Sequence, residues 1–230
     1  MAYLSAIEIE PGEGMVRLVK SVLTEAMAAS IDRSQGFYTI DGMSGYRYRW
    51  FINTLVRRMP KPGYLEVGSW QGSTLCAAIA GNAVRALAID NWSEFGGPKE
   101  QFLANVGRYR GESATVGFFE GDFRSVPFAA IAEQVEPFNI YLFDGPHEEA
   151  DQYDGLVRAL PALAERFVFI CDDWNWERVR AGTHRAIAES DVDLLYAAEV
   201  RTTLDGSNGV PGFKESDWHN GYFIGVLAKR

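Results

Sequence analysis

Three features of the sequence predict a doubly wound α/β fold with a mostly parallel sheet. Short apolar runs alternate with helical segments from Tyr64 to Glu189, the pattern of a sheet covered on both faces. The runs end in, or pass directly into, acidic residues. The final two runs, 194–200 and 219–227, are joined by a polar loop without a helix, which makes them an antiparallel hairpin.

Residues 1–14 are mixed in character and close on Pro11, Gly12 and Gly14, so they read as a loosely attached arm. Val16, Val19, Leu23, Met27 and Ile31 share one face of a helix over 16–31. A glycine-bearing loop follows, then a second helix over 46–58, stopped by Pro60 and Pro62. We take 1–58 as a helical cap or lid within the same domain as 59–230. Next come a strand ending at Val67, a helix from Ser73, a strand over 84–89 and a helix over 99–108. A strand over 115–119, a helix over 127–134 and a strand over 140–143 follow. A helix over 148–163, a strand over 167–171 and a helix over 176–189 complete the alternation before the hairpin.

The 230 residues suffice for one sizeable domain, and 47% hydrophobic with 23% charged residues is an ordinary globular composition. A net charge of -9 opposes a nucleic-acid or anionic-membrane partner. Cys76 and Cys171 each lie in an apolar run, as core thiols do in a reducing compartment. With no signal-peptide pattern and no apolar run near the roughly 20 residues a bilayer needs, a cytoplasmic location is expected. The sequence leaves homo-oligomerisation open.

The stretch YLEVGSWQGST, 64–74, organises the chemistry. Gly68 and Gly72 turn the backbone between a strand and a helix start, which makes a pocket for a nucleotide-like ligand. Glu66 stands just before that turn, where it repels a pyrophosphate and attracts an amine or sulfonium. Asp90 lies at the end of the next strand, twenty-two positions after Gly68, where an acid accepts bonds from both ribose hydroxyls. Trp92 and Phe123 are candidate walls for an adenine, and core packing is an equal reading of both. Ser69, Ser73, Asn91, Asp122 and Asp144 complete the candidate cofactor set.

LEVGSWQGST, AIDNW, EGDF, FDGPHEEADQYDGL and FICDDW together resemble the successive motifs of class I S-adenosylmethionine-dependent methyltransferases. The resemblance covers roughly 40–190 and is nearest to the branch of macrocin-type sugar O-methyltransferases and cephalosporin-hydroxylase-like proteins. It implies a Rossmann-like, seven-stranded sheet with a C-terminal antiparallel hairpin and an N-terminal helical extension. It also implies that Glu66, Gly68 and Gly72 line the methionine end of S-adenosyl-L-methionine, that Asp90 binds the ribose and that Asp122 lies near the adenine. Trp70 and Gln71 stand in the turn where G-x-G-x-G is commoner.

Asp144, Asp172 and Asp173 end two strands expected to be neighbours, and three such carboxylates repel unless protonated or shared with a cation. Oxygen ligands suit Mg²⁺, and acids at these positions hold the metal in the similar metal-dependent O-methyltransferases. His147, three residues past Asp144, is the candidate base, where catechol-type relatives carry a lysine. With Asp144 it makes up the catalytic pair; His184 and His219 receive no role. The reaction expected is methyl transfer to a hydroxyl of a small molecule. The alternatives are transfer to another atom without metal, and a non-catalytic protein that keeps the pocket. A dinucleotide oxidoreductase is disfavoured by Glu66 and by the lack of G-x-G-x-x-G. Trp174, Trp176, Phe213 and Trp218 could floor an acceptor pocket, or simply fill the core.

Overall fold

The computed structural model describes residues 2–211 and 215–230; Phe213 lies outside them. Among the described residues the strands form one eight-stranded sheet, ordered β1-β7-β8-β6-β5-β2-β3-β4. They are β1 (Tyr3–Glu8), β2 (Gly63–Val67), β3 (Arg85–Asp90), β4 (Thr115–Glu120), β5 (Phe138–Phe143), β6 (Leu163–Cys171), β7 (Val192–Arg201) and β8 (Tyr222–Lys229). The block β4-β3-β2-β5-β6 is parallel throughout. β8 inserts antiparallel between β6 and β7, so the expected hairpin is present.

Seven of these strands are those expected from the sequence, and β1 corrects the reading of 1–14 as a loose arm. Tyr3 to Glu8 pair antiparallel with Arg201 to Tyr196 of β7. All six side chains of β1 are exposed, so no buried face imposes the alternation by which strands are recognised. The final strand begins at Tyr222 and not at His219, because 218–221 form a turn with His219 and Gly221 at φ of 42° and 87°.

The helices are α1 (Gly14–Ala28), α2 (Tyr46–Arg58), α3 (Ser73–Ile79), α4 (Lys99–Tyr109), α5 (Phe128–Gln134), α6 (Glu149–Ala159) and α7 (Glu177–Glu189). They bury the two faces of the sheet in separate cores. One joins Val19, Leu23, Phe51, Ile52 and Leu55 of α1 and α2 to Tyr64, Ile140 and Val168 of the sheet. The other joins Leu156, Val179 and Ile187 of α6 and α7 to Leu65, Tyr141 and Phe169. Strand alternation therefore turns Glu66, two residues after Tyr64, toward the α2–α3 side.

The 1–58 segment is tied down by specific bonds. Asn53 donates to the carbonyls of Ala77 and Ala80, and Asn82 donates back to the carbonyl of Asn53. Arg58 makes a bidentate pair with Glu25 that links α2 to α1. Cys76 and Cys171 are buried free thiols, as expected. Among the described residues no helix is long and apolar enough to cross a membrane.

Candidate functional site

The carboxyl ends of β2, β3 and β5 are stitched together by backbone bonds, Gly68 to the carbonyl of Ile89 and Asp144 to that of Val67. A Cβ on Gly68 would collide with the Asp144 carbonyl, and its φ is 85°, so only glycine lets β2 and β5 approach here. Over this rim lies a cavity of about 370 Å³. Its walls include Gly68, Ser69, Ser73, Asp90, Asn91, Asp122, Phe123, Asp144 and His147. One cleft thus gathers the acids of three strand ends.

Glu66 sits beneath that rim, fully buried. Its Oε2 accepts a 2.5 Å bond from the Tyr64 hydroxyl, while Oε1 has no hydrogen-bond partner among the described residues. Burial pushes the carboxyl up to about 7, against the pull of Tyr64 and of the nearby Ser69 and Thr74 hydroxyls, both of which line the cavity. A buried, half-partnered carboxylate beside an acid-lined cavity favours a cation.

Asp90 has a second role that the spacing did not reveal. Its Oδ2 accepts from the amide of Trp70 at 2.7 Å and its Oδ1 from that of Trp92 at 2.6 Å. Both tryptophans hold left-handed backbone, at φ of 44° and 48°, and the Trp92 indole donates to the Trp70 carbonyl. One carboxylate therefore clamps the glycine turn to the β3 loop, and each oxygen keeps a second lone pair for a ligand.

Trp92 itself is not a cavity wall. It is buried against Phe102 and Phe118, at centroid distances of 5.0 and 5.9 Å, which settles it as core. Gly72 likewise lies behind the wall, holding the turn at φ 80° against Phe102. Phe123 does line the cavity, with its other face on Phe143. Asp122 lines it too while accepting from the Arg124 amide, so capping and wall are one residue. Asn91 closes a turn onto Ser93.

The expected metal set is rearranged. The ligand atoms that converge, all within 4.8 Å of one another, belong to Asp144, His147 and Asp173. His147 Nε2 stands 2.8 Å from Asp173 Oδ2 and 3.6 Å from Asp144 Oδ1. Asp172 is outside that group: it is buried and accepts the Asp173 amide, so it supports its neighbour instead of facing the cleft. Burial drives its carboxyl far above the usual range, with the charges of Asp144 and Asp173 adding to the effect. Burial also raises Asp144, to about 6. Asp173, at φ 56°, is the contrary case. Burial opposes its ionisation, but His147 and Asn220 outweigh it and hold the pKa below the usual value. Burial alone would lower His147, yet the flanking carboxylates raise it to about 10, so with no cation present it is an imidazolium at neutral pH.

Of the remaining aromatics, Trp174 and Trp218 are core, whereas Trp176 packs edge-on against His147 at 5.2 Å. His184 is half exposed beside Glu199, away from the cleft. His219 is buried, 4.0 Å from Asp173 Oδ1. Met43 and Ser44 from the N-terminal segment, and Ser93, Glu94 and Phe95 from the 91–98 loop, also line the cavity; the sequence pointed to these two segments but to none of these residues singly.

Comparison with known proteins agrees with this architecture. Residues 65–174 match a family model described as a methyltransferase domain. No curated protein sequence matches the chain. Similar solved structures include cofactor-bound Rv0187 from MTB, at TM-score 0.55 and 14% identity over 93% of this chain and 91% of that one. The O-methyltransferase TomG from Streptomyces achromogenes, involved in tomaymycin synthesis and solved with SAM, gives 0.54 and 14% over 93% and 90%. TrmN from Thermus thermophilus gives 0.53 and 16% over 79% and 48%, so the chain spans about half of that protein. At these identities the likeness is one of fold. Sequence match and fold converge: residues 65–174 resemble a methyltransferase domain, and the sheet that carries them has the fold of solved S-adenosylmethionine-binding methyltransferases such as TomG.

Proposed function

We propose that the protein transfers the methyl group of S-adenosyl-L-methionine to a hydroxyl of a small molecule, assisted by a divalent cation. The observation that carries the donor assignment is Glu66 Oε1, a buried acceptor with no hydrogen-bond partner among the described residues, directly behind the Val67, Ser69 and Thr74 wall of an acid-lined cavity. It suits the ammonium of the donor's amino-acid end. Asp90 would hold the ribose, and Phe123, Asp122 and Asn91 would border the base. The donor supplies an electrophilic methyl on a sulfonium. This chain's residues fix its position and exclude water behind Met43, Ser44 and Phe95, by which 1–58 and the β3 loop act as a cap.

The donor set of Asp144, Asp173 and His147 fits a divalent ion, Mg²⁺ or a metal more tolerant of imidazole. Such an ion supplies Lewis acidity that makes a nearby hydroxyl a stronger acid. Asp144 and Asp173 would hold it. Their charge would then no longer sustain the imidazolium, and His147 would become available as a neutral base at the cavity wall. The same geometry favours a second reading: the imidazolium already occupies the place of a cation, and Asp144, held near pH 6, takes the proton without metal.

A donor-dependent screen over hydroxylated acceptors, with Mg²⁺, with Mn²⁺ and with chelator, tests both. Methyl transfer lost on chelation and restored by metal supports the first reading, and chelator-resistant transfer the second. Failure of S-adenosylhomocysteine to bind overturns the donor assignment.

A further inference from the structure

Glu66 has a counterpart of opposite sign. Arg49, on the first turn of α2, is completely buried. Its Nε donates to Ser44 Oγ at 2.9 Å, and its Nη1 reaches the carbonyls of Ile40, Phe37 and Tyr38 at 2.8, 3.2 and 3.4 Å. Nη2 has no hydrogen-bond partner among the described residues. Asp41 acts on the guanidinium through space, and burial lowers its pKa to about 10, so the group stays charged at neutral pH. A buried guanidinium with an idle N–H fork is costly unless something anionic completes it.

The idle fork lies just behind the cavity wall, next to Ser73. A Cβ on Gly42 would stand 2.9 Å from Nη2 and would also collide with Ser73, whose hydroxyl lines the cavity. Gly42 thus leaves a small gap shared by Nη2 and Ser73 Oγ. Ser73 Oγ lies 3.0 Å from Ser44 Oγ, which Arg49 itself holds. The adjacent residue, Thr74, is the one beside Glu66. The Cys76 thiol, one turn further on, feels both charges. Two fully buried ionic side chains of opposite sign, each with an unused hydrogen-bonding atom, therefore flank Ser73 and Thr74 without pairing to each other.

We propose that Arg49, with Ser73, binds the α-carboxylate of the methyl donor while Glu66 binds its α-ammonium, so that the pair reads the ligand's zwitterionic end. This rests on the donor assignment above. An α-amino acid carries its two charges on one carbon, a few ångströms apart, as neighbouring residues of a turn do. A guanidinium fork meets a carboxylate with charge-assisted bonds, so the interaction selects for the carboxylate and not merely for negative potential. It also ties donor binding to the 37–44 loop, because the guanidinium that grips the ligand is the one that holds those carbonyls.

The test is calorimetric titration of S-adenosylhomocysteine and of its decarboxylated analogue into wild type, Arg49→Lys and Arg49→Met. Removing one partner of a buried charge pair costs 2 kcal/mol or more, so the analogue should bind wild type about 30-fold more weakly. That penalty should shrink to within about threefold in Arg49→Met and be intermediate in Arg49→Lys. If Arg49→Met fails to fold, the wild-type and Arg49→Lys penalties decide. Equal affinity of both ligands for wild type overturns the role of Arg49 while leaving the donor assignment intact. A penalty undiminished in the variants assigns the carboxylate to another group and also overturns it. No binding of S-adenosylhomocysteine to wild type removes the donor assignment itself.

Discussion

Substituting Glu66 by Gln should change the pH dependence of stability and the proton balance of ligand binding together. Burial raises this carboxyl from 4.5 to about 7. At 1.36 kcal/mol per pKa unit that is roughly 3 kcal/mol for a group with no exposed surface. The folded protein holds the proton more tightly than the unfolded chain does. Its contribution is therefore fully present below pH 4.5 and is lost as pH rises through about 7. Glu66→Gln keeps an acceptor for the Tyr64 hydroxyl and cannot ionise. An unpartnered amide carries its own penalty of about 1–3 kcal/mol, but that penalty does not vary with pH.

The stability of Glu66→Gln relative to wild type should thus climb by roughly 3 kcal/mol between pH 4.5 and 7 and then level off. Urea unfolding of both proteins at half-unit pH steps reads this directly. Stability curves that run parallel across the window would refute a buried, proton-holding Glu66. The ligand side gives an independent check. If Glu66 receives an ammonium, binding stabilises its charged form and expels a proton near pH 6. The binding enthalpy of S-adenosylhomocysteine should then vary with the ionisation heat of the buffer in wild type and not in the variant. Buffer-independent enthalpy in wild type would separate Glu66 from the ammonium.

Three further outcomes are expected. Gly68→Ala sets a methyl against the Asp144 carbonyl in left-handed backbone, and should cost 3 kcal/mol or more in urea unfolding. Asp172→Asn should leave divalent-ion affinity within about threefold by calorimetry while Asp173→Asn loses at least tenfold, since Asp173 and not Asp172 converges with Asp144 and His147. The His147 pKa is raised from 6.5 to about 10, so its stabilisation is fully present below pH 6.5 and lost as pH rises through 10. His147→Gln should therefore destabilise the metal-free protein at pH 6 more than at pH 9.5, as urea unfolding would show.

The strands of the parallel block were legible because nothing but a strand accounts for brief apolar runs fenced by Pro60, Pro62, glycines and acids. The α1 helix was legible because its buried face repeats with helical spacing, whereas α2, buried at every position from 51 to 56, was legible from the prolines that stop it. β1 lacked any such mark, being exposed on every side and held by backbone pairing to a strand nearly two hundred residues away and by the Glu8–Lys20 ion pair. The acids were legible as a rim, since each ends a strand, but not as individual roles. Asp90 clamps two left-handed tryptophans, a function of loop geometry that spacing does not encode. His147 could be set beside Asp144 from their separation, whereas its nearer partner, Asp173, depends on β6 lying next to β5. Trp92 reads alike as wall or core until Phe102 and Phe118 are seen around it. Arg49 and Ser44 left no signal, because they reach the glycine turn only through the packing of α2 on α3.

The distribution of buried charge gives these separate details one cause. Glu66, Arg49, Asp144, Asp172 and His147 are titratable groups displaced by burial or by close neighbours; Asp144 and His147 line one cavity and the other three lie behind its wall. A core assembled for stability alone would have placed apolar side chains there, because buried ions rarely exceed a hydrophobic substitute in stabilisation. Two of these groups, Glu66 and Arg49, keep an atom with neither a hydrogen-bond nor an ion-pair partner among the described residues, and they differ in sign. A ligand carrying both charges relieves both, and the free energy it recovers appears as affinity and as ligand-induced stabilisation of the fold. Binding should therefore raise the melting temperature of wild type well beyond that of Glu66→Gln or Arg49→Lys at the same saturation. A shift equal in all three would mean that the adenosine end alone drives binding.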